Sequence, residues 1–229
     1  MIDKIYIVHY TKLTERKENI LNILEQINVP YEFISEYDQE DLEFVKEQYY
    51  NLDIKEYNRK IQIYNSTKYG APPFRKLSDA EISCTIKHIL AIKKLSEECN
   101  VGLILEDDAI PYGPEFLEKA NKCLKEAPEN WGSIFIGNGC GDDFISQKNK
   151  YRVTNDLFKV PHPATNCAEA YIMNKKSAEI VFNNMLPFQQ ISDWELACCY
   201  WTQNVDVYWY LPSLIYQGSI SGKFKSSLR

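Results

Sequence analysis

The chain has 229 residues, 45% of them hydrophobic and 25% charged, which is an ordinary composition for a soluble globular protein. The length suits one large domain or two small ones and is enough to bury a core without disulfide staples. A formal net charge of −6 argues against a general nucleic-acid binder, which needs a basic face, although the C-terminal SGKFKSSLR is locally basic.

IYIVHY at 5–10 is β-branched and aromatic and reads as a buried strand. KLTERKENILNILEQI follows, with Thr14 as a candidate N-cap and Ile20, Leu21, Leu24 and Ile27 at helical spacing. Pro30 ends that helix, and YEFISEY at 31–37 is a second strand. Strand, helix and strand at this spacing make a βαβ unit, which favours a parallel sheet. Residues 38–76 read as helix to about 48, then as a loop-rich excursion, because the adjacent prolines of GAPPF bar a regular helix.

LSDAEISCTIKHILAIKKLSEECN, at 77–100, carries the clearest helix signal. Ser78 and Glu81 form a Ser-x-x-Glu capping box. At about 100° per residue, Lys87, Lys94 and Glu98 fall on one narrow charged face and most of the remaining circumference is apolar. Glu81 and His88 share a stripe flanked by Ile92 and Leu95. They suggest an internal polar site, or equally a buried carboxylate and histidine that satisfy each other or the backbone.

VGLIL at 101–105 reads as a central strand, ended by the acids Glu106, Asp107 and Asp108. A helix from about 115 to 126 comes next. It is followed by a strand at 131–137, the glycine-rich loop GNGCGDD and a strand at 169–173. Asn174 caps a further helix, and Ser192 or Asp193 caps the helix of SDWELACCYWT. VDVYWYL is an alternating strand stopped by Pro212, and the tail from Leu214 reads as irregular. Strands and helices alternate throughout, which predicts an α/β chain with a mainly parallel sheet and helices on both faces.

The seven cysteines show no Cys-x-x-Cys or Cys/His spacing that suggests zinc. They read as reduced, mostly buried thiols, which favours a cytoplasmic location. MIDKIYIVHY reaches a charge too early for a signal peptide. No window offers the roughly 18 apolar residues of a membrane helix, which leaves peripheral membrane contact as the open possibility.

Ligands of open α/β sheets bind at the carboxyl ends of the strands, where the acid triplet falls. If strand geometry persists, Glu106 and Asp108 face one way and Asp107 the other. Two or three carboxylate oxygens suit a hard divalent ion, Mg²⁺ or Mn²⁺, that keeps positions open for substrate phosphates. A solvated acidic turn is the competing reading of the triplet taken alone.

Six stretches, in order, resemble glycosyltransferase family 25, the lipopolysaccharide-type and collagen galactosyltransferases. They are IYIVHY with ERKENI, LSDAEISCTIKHILAIKKL, LILEDDAI, AEAYIMNKKSAEIV, SDWEL and YLPSLIYQGS. The resemblance spans nearly the whole chain and treats residues 1–229 as a single catalytic domain. It implies a GT-A-like three-layer α/β/α sandwich with a mainly parallel mixed central sheet. It also implies a UDP-sugar donor, Mn²⁺ dependence, inversion at the anomeric carbon, and a glycan or hydroxylated acceptor. On this reading Asp108 holds the metal with help from Glu106, and Asp107 or Glu106 assists the donor. Val8, His9 and Tyr10 contact the nucleotide, while Arg16 pairs with phosphate or is a solvated helix residue. Glu81, His88, Gln217 and Ser219 complete the donor side. Asp193 is the candidate general base, or else a plain N-cap, and Glu195 is the alternative base.

Two departures from the family pattern stand out. Lys87 takes the place where a serine is usual before His88, and no histidine follows His162 to complete a metal sphere near the C-terminus. They motivate a second reading, a catalytically silent module that binds nucleotide or glycan without transfer. A Mg²⁺ phosphohydrolase is a third reading, weakened by the lack of an Asp-x-Asp-x-Thr pattern.

Overall fold

The computed structural model describes residues 1–64, 75–139, 148–160, 165 and 167–227. The chain opens with β1 (Lys4–Val8), α1 (Thr14–Leu24) and β2 (Tyr31–Ile34), the βαβ unit predicted from the sequence. Thr14 is the first helical residue and Leu13 stands at the N-cap, so no side chain caps α1. The predicted helix at 38–48 is reduced to α2 (Lys46–Tyr49), and an unpredicted helix, α3 (Ile54–Tyr64), lies in the expected loop. The adjacent prolines fall outside the described residues.

Next come α4 (Asp79–Glu98), β3 (Val101–Glu106), a short β4 (Ala109–Pro111), α5 (Phe116–Glu126) and β5 (Trp131–Phe135). The capping box of α4 is formed on both sides, Ser78 with the Glu81 amide and Glu81 with the Ser78 amide. The loop GNGCGDD lies mostly outside the described residues. After α6 (Lys148–Tyr151) and β6 (Leu157–Lys159) come β7 (Ala170–Asn174), α7 (Lys175–Asn184), α8 (Ser192–Thr202), β8 (Asp206–Tyr210) and β9 (Ile215–Gln217). Asn174 caps α7 through its side chain, as expected.

The large sheet has strand order β2-β1-β3-β7-β5-β8-β6. β1, β2 and β3 run parallel, as do β5 and β8. β7 runs antiparallel to both β3 and β5, and β6 runs antiparallel to β8. Because these two strands alone oppose the rest, the sheet is mixed and mainly parallel. The tail is less irregular than its composition suggested, since β9 pairs antiparallel with β4.

Strand alternation divides the core in two. Tyr6, Val8, Ile104, Phe135, Tyr171 and Trp209 face α4, α7 and α8. Ile5, Ile7, Leu103, Leu105, Ile134 and Ile172 face α1 and α5. The result is the three-layer α/β/α sandwich anticipated from the sequence. Each fully buried Ile, Leu or Phe contributes roughly 1.5–3 kcal/mol. Gly102 lets α4 lie close on the sheet, because a Cβ there would stand 2.5 Å from Leu95 Cδ1. At the other end of α4, Cys84 and His88 lie against the carboxyl end of β3, where the acids emerge.

Candidate active site

β3 ends at Glu106, and Asp107 and Asp108 form the turn into β4. Strand alternation therefore stops before the second acid, contrary to the expectation of one face for Glu106 and Asp108 and another for Asp107. All three line one cavity, yet each has different partners.

Asp107 is buried and binds the chain to itself. It accepts from His9 Nδ1 at 2.9 Å, the Tyr10 amide at 3.2 Å and Arg16 Nη1 at 2.7 Å. Arg16 is buried as well, with Nη2 on the Lys225 carbonyl and the guanidinium over the Phe224 ring. It is not a solvated helix residue, and both ends of its fork are occupied by protein. Removing one partner of a buried ion pair leaves an uncompensated charge. Asp107→Ala is expected to destabilise the fold by about 3–5 kcal/mol, read from urea unfolding. A loss near zero would mean that water replaces the carboxylate without cost.

Glu106 takes His88 Nε2 at 3.3 Å on one oxygen and Gln217 Nε2 at 3.1 Å on the other. His88 is fully buried, its Nδ1 3.1 Å from the Tyr171 hydroxyl and its ring stacked on that tyrosine. Glu81, expected on the same stripe, does not meet it. Glu81 pairs with Arg75 through two hydrogen bonds of 2.8 and 2.5 Å, and that pairing with its cap lowers its pKa.

Asp108 is the least satisfied acid. Its Oδ2 accepts from the Ser219 amide at 3.1 Å and lies 3.9 Å from Arg16 Nη1. Its Oδ1 is buried and has no hydrogen-bond partner among the described residues. Burial first, and the Glu106 charge second, push its pKa up to about 6. Such an oxygen is costly unless something binds it. A divalent cation supported by Glu106 fits this donor set. The β4–β9 pairing brings Ser219 here, and Gly218 makes the approach possible: a Cβ there would stand 2.9 Å from the Asp108 carbonyl oxygen.

The cavity is closed by Val8, His9, Tyr10, Gln39 and Lys87. His9 is buried, with Nε2 lacking a hydrogen-bond partner among the described residues. Lys87 was expected on a charged surface, but it is 2% exposed. Its ammonium donates to the His9 carbonyl at 2.6 Å and to Asp38. The charged face survives at the far end of α4, where Lys94 binds Glu32 and Glu98 binds Lys4. Near the site it turns inward because Asp38 supplies a counter-charge. Nothing local in the sequence links Asp38 to Lys87.

A second lobe opens beside the first and shares Cys84, Glu106, Gln217, Ser219 and Ser226 with it. Glu81 and Asp193 line this lobe. Asp193 is the second residue of α8, and the N-cap is Ile191, so neither Ser192 nor Asp193 is the cap. Asp193 is half-buried, and its Oδ1 accepts from the Trp194 amide at 2.9 Å. Burial, followed by the Glu106 charge, raises its pKa to about 6 despite that hydrogen bond.

Glu195 is not brought to the cleft. Its carboxylate takes Lys60 Nζ at 2.6 Å and the Gln189 and Gln190 amides at 2.6 and 2.8 Å. It ties α8 to α3 and to the preceding loop, which leaves it unavailable as a base. His162 lies outside the described residues.

Residues 2–197 match the family model described as glycosyltransferase family 25 (LPS biosynthesis protein). The chain belongs to glycosyltransferase family 25. No curated protein matches this family 25 chain at a significant level. Solved structures resemble it in overall shape. A glycosyltransferase involved in glycosylation of the major capsid of PBCV-1 has TM-score 0.48 and 9% identity, covering 95% of this chain and 94% of its own. A Drosophila β-1,4-galactosyltransferase 7 mutant with manganese, UDP-Gal and xylobiose has TM-score 0.44 and 8% identity, covering 99% and 76%. A UDP-glucose pyrophosphorylase complexed with UDP-glucose has TM-score 0.49 and 10% identity, covering 97% and 96%. These are likenesses of shape, and no functional conclusion rests on them.

Proposed function

We propose that this family 25 chain is an inverting, metal-dependent hexosyltransferase with a GT-A-like fold. It moves galactose or glucose from a UDP-sugar to a hydroxyl of a glycan or hydroxylated acceptor, with residues 1–229 acting as one catalytic domain. One observation carries the reading. Two lobes meet at Glu106, Gln217 and Ser219, with the Asp108 oxygen that is unpartnered among the described residues in one and the Asp193 carboxylate in the other.

In this scheme the first lobe takes the nucleotide diphosphate. Val8 and Tyr10 border the nucleotide, and Asp107 and Arg16 hold that edge of β1 in place. Asp108, assisted by Glu106, would hold Mn²⁺ or Mg²⁺. Held there, a cation would supply positive charge against the charge that builds on the departing diphosphate. The second lobe takes the acceptor. Asp193 accepts the proton of the acceptor hydroxyl as its oxygen attacks the anomeric carbon and the bond to UDP breaks. One base and one displacement invert the anomeric centre.

The test is UDP release from a panel of UDP-sugars with Mn²⁺, with and without candidate acceptors. Turnover of at least one donor supports the transferase. Nucleotide binding without turnover would instead support the silent binding module. The Lys87 departure, one motive for that module, is met by its burial against Asp38.

A further inference from the structure

Cys84 and His88 stand one turn apart on α4, so their side chains project from the same face. Glu106 reaches that face from the end of β3. One ligand atom from each residue can be chosen so that all lie within 4.8 Å of one another. A tetrahedral zinc needs about 3.5 Å between sulfur and nitrogen ligands. Rotation of the Cys84 and Glu106 side chains has to supply the remaining ångström or so.

The surrounding groups suit such a site. Tyr171 holds His88 by Nδ1, leaving Nε2 turned to Glu106. Gln217 holds the other Glu106 oxygen. Outer hydrogen bonds of this kind fix ligand orientation. Cys84 and Glu106 line both lobes, so a fourth position faces the cleft. A thiolate, imidazole and carboxylate together select a borderline ion such as Zn²⁺ or Co²⁺, whereas all-oxygen sets suit Mg²⁺ and Mn²⁺.

We propose that Cys84, His88 and Glu106 form a zinc-class cation site at the neck of the cleft, distinct from the position at Asp108 and competing with it for Glu106. Its consequence rests on the transferase reading: zinc at the neck withdraws Glu106 from the donor side and obstructs the passage between the lobes, so it inhibits transfer. The binding itself does not depend on that reading.

Cobalt(II) added to metal-free full-length protein tests the binding. A thiolate-to-cobalt charge-transfer band is expected in the near ultraviolet, bleached by zinc and lost in Cys84→Ser. In the wild type, where no variant has to fold, zinc is expected to slow alkylation of Cys84 about tenfold or more, read by peptide mass spectrometry, while Mn²⁺ leaves it unchanged. Absence of the band, its survival in Cys84→Ser, or unprotected Cys84 in the wild type each overturns the site. In the transfer assay, half-inhibition by zinc is expected at the concentration that half-protects Cys84. Inhibition without protection overturns the consequence, and complete absence of transfer defeats the transferase reading while leaving the binding result intact.

Discussion

Asp193→Asn is expected to lower turnover about 10²–10⁴-fold, the range of a lost general base, while UDP and Mn²⁺ still bind as in the wild type. The amide keeps the volume of the side chain and can still accept from the Trp194 amide through its oxygen. What it cannot do is take a proton. Initial rates and calorimetric UDP binding on one preparation separate the two effects. Wild-type turnover in the variant would move the base elsewhere, Glu106 and the Arg75-paired Glu81 being the other carboxylates that line that lobe.

The pH profile follows from the same group. A base with a pKa raised to about 6 must be ionised to act, so transfer should fall as pH drops through about 6 and level off above it. The stability effect has the opposite sense. Because burial raises this carboxylate's pKa, the folded chain holds a proton that the unfolded chain has already lost across the window up to about 6. Asp193 therefore favours folding less as pH rises through that window. Asp193→Asn should unfold at a higher temperature than the wild type at about pH 8, with the difference vanishing at about pH 4. A variant that is inactive and also less stable would point to a structural role.

Asp108→Asn is expected to weaken Mn²⁺-dependent UDP binding about 100-fold or more, since even outer-shell changes cost 10–100-fold in metal affinity. The Asn oxygen can keep the Ser219 amide bond, so the β4–β9 turn should hold and circular dichroism should be unchanged. Burial also keeps Asp108 partly protonated near pH 6, so wild-type Mn²⁺ binding should tighten as pH rises through that value and release protons. Titrations in buffers of different ionisation heat measure that release. Persistent Mn²⁺-dependent UDP binding in the variant would remove Asp108 from the cation site.

Much of the frame was readable before any coordinates. The βαβ opening, the α4 capping box, the Asn174 cap and the apolar run ending in acids are local signals, each set by neighbouring residues in the chain. Helix α3 was hidden by the polar, tyrosine-rich character of its region, and β9 by the glycine and serine that follow it. Short strands such as β9 owe their existence to a partner, here β4, rather than to propensity. The pairing of Cys84 with His88 could have been found at helical spacing four residues apart. That spacing alone marks no site, because the third group, Glu106, comes from another element.

That acids cluster at the carboxyl edge of a mainly parallel sheet follows from the order of residues, because hydrophobic periodicity and caps are local. Which acid does what depends on the packing of distant segments. Asp107 is consumed by His9 and Arg16, Glu195 by Lys60, and Lys87 is drawn inside by Asp38, while one Asp108 oxygen has no partner among the described residues. Those outcomes depend on which opposite charges meet across long sequence separations. A buried charge is tolerable only where such a partner arrives.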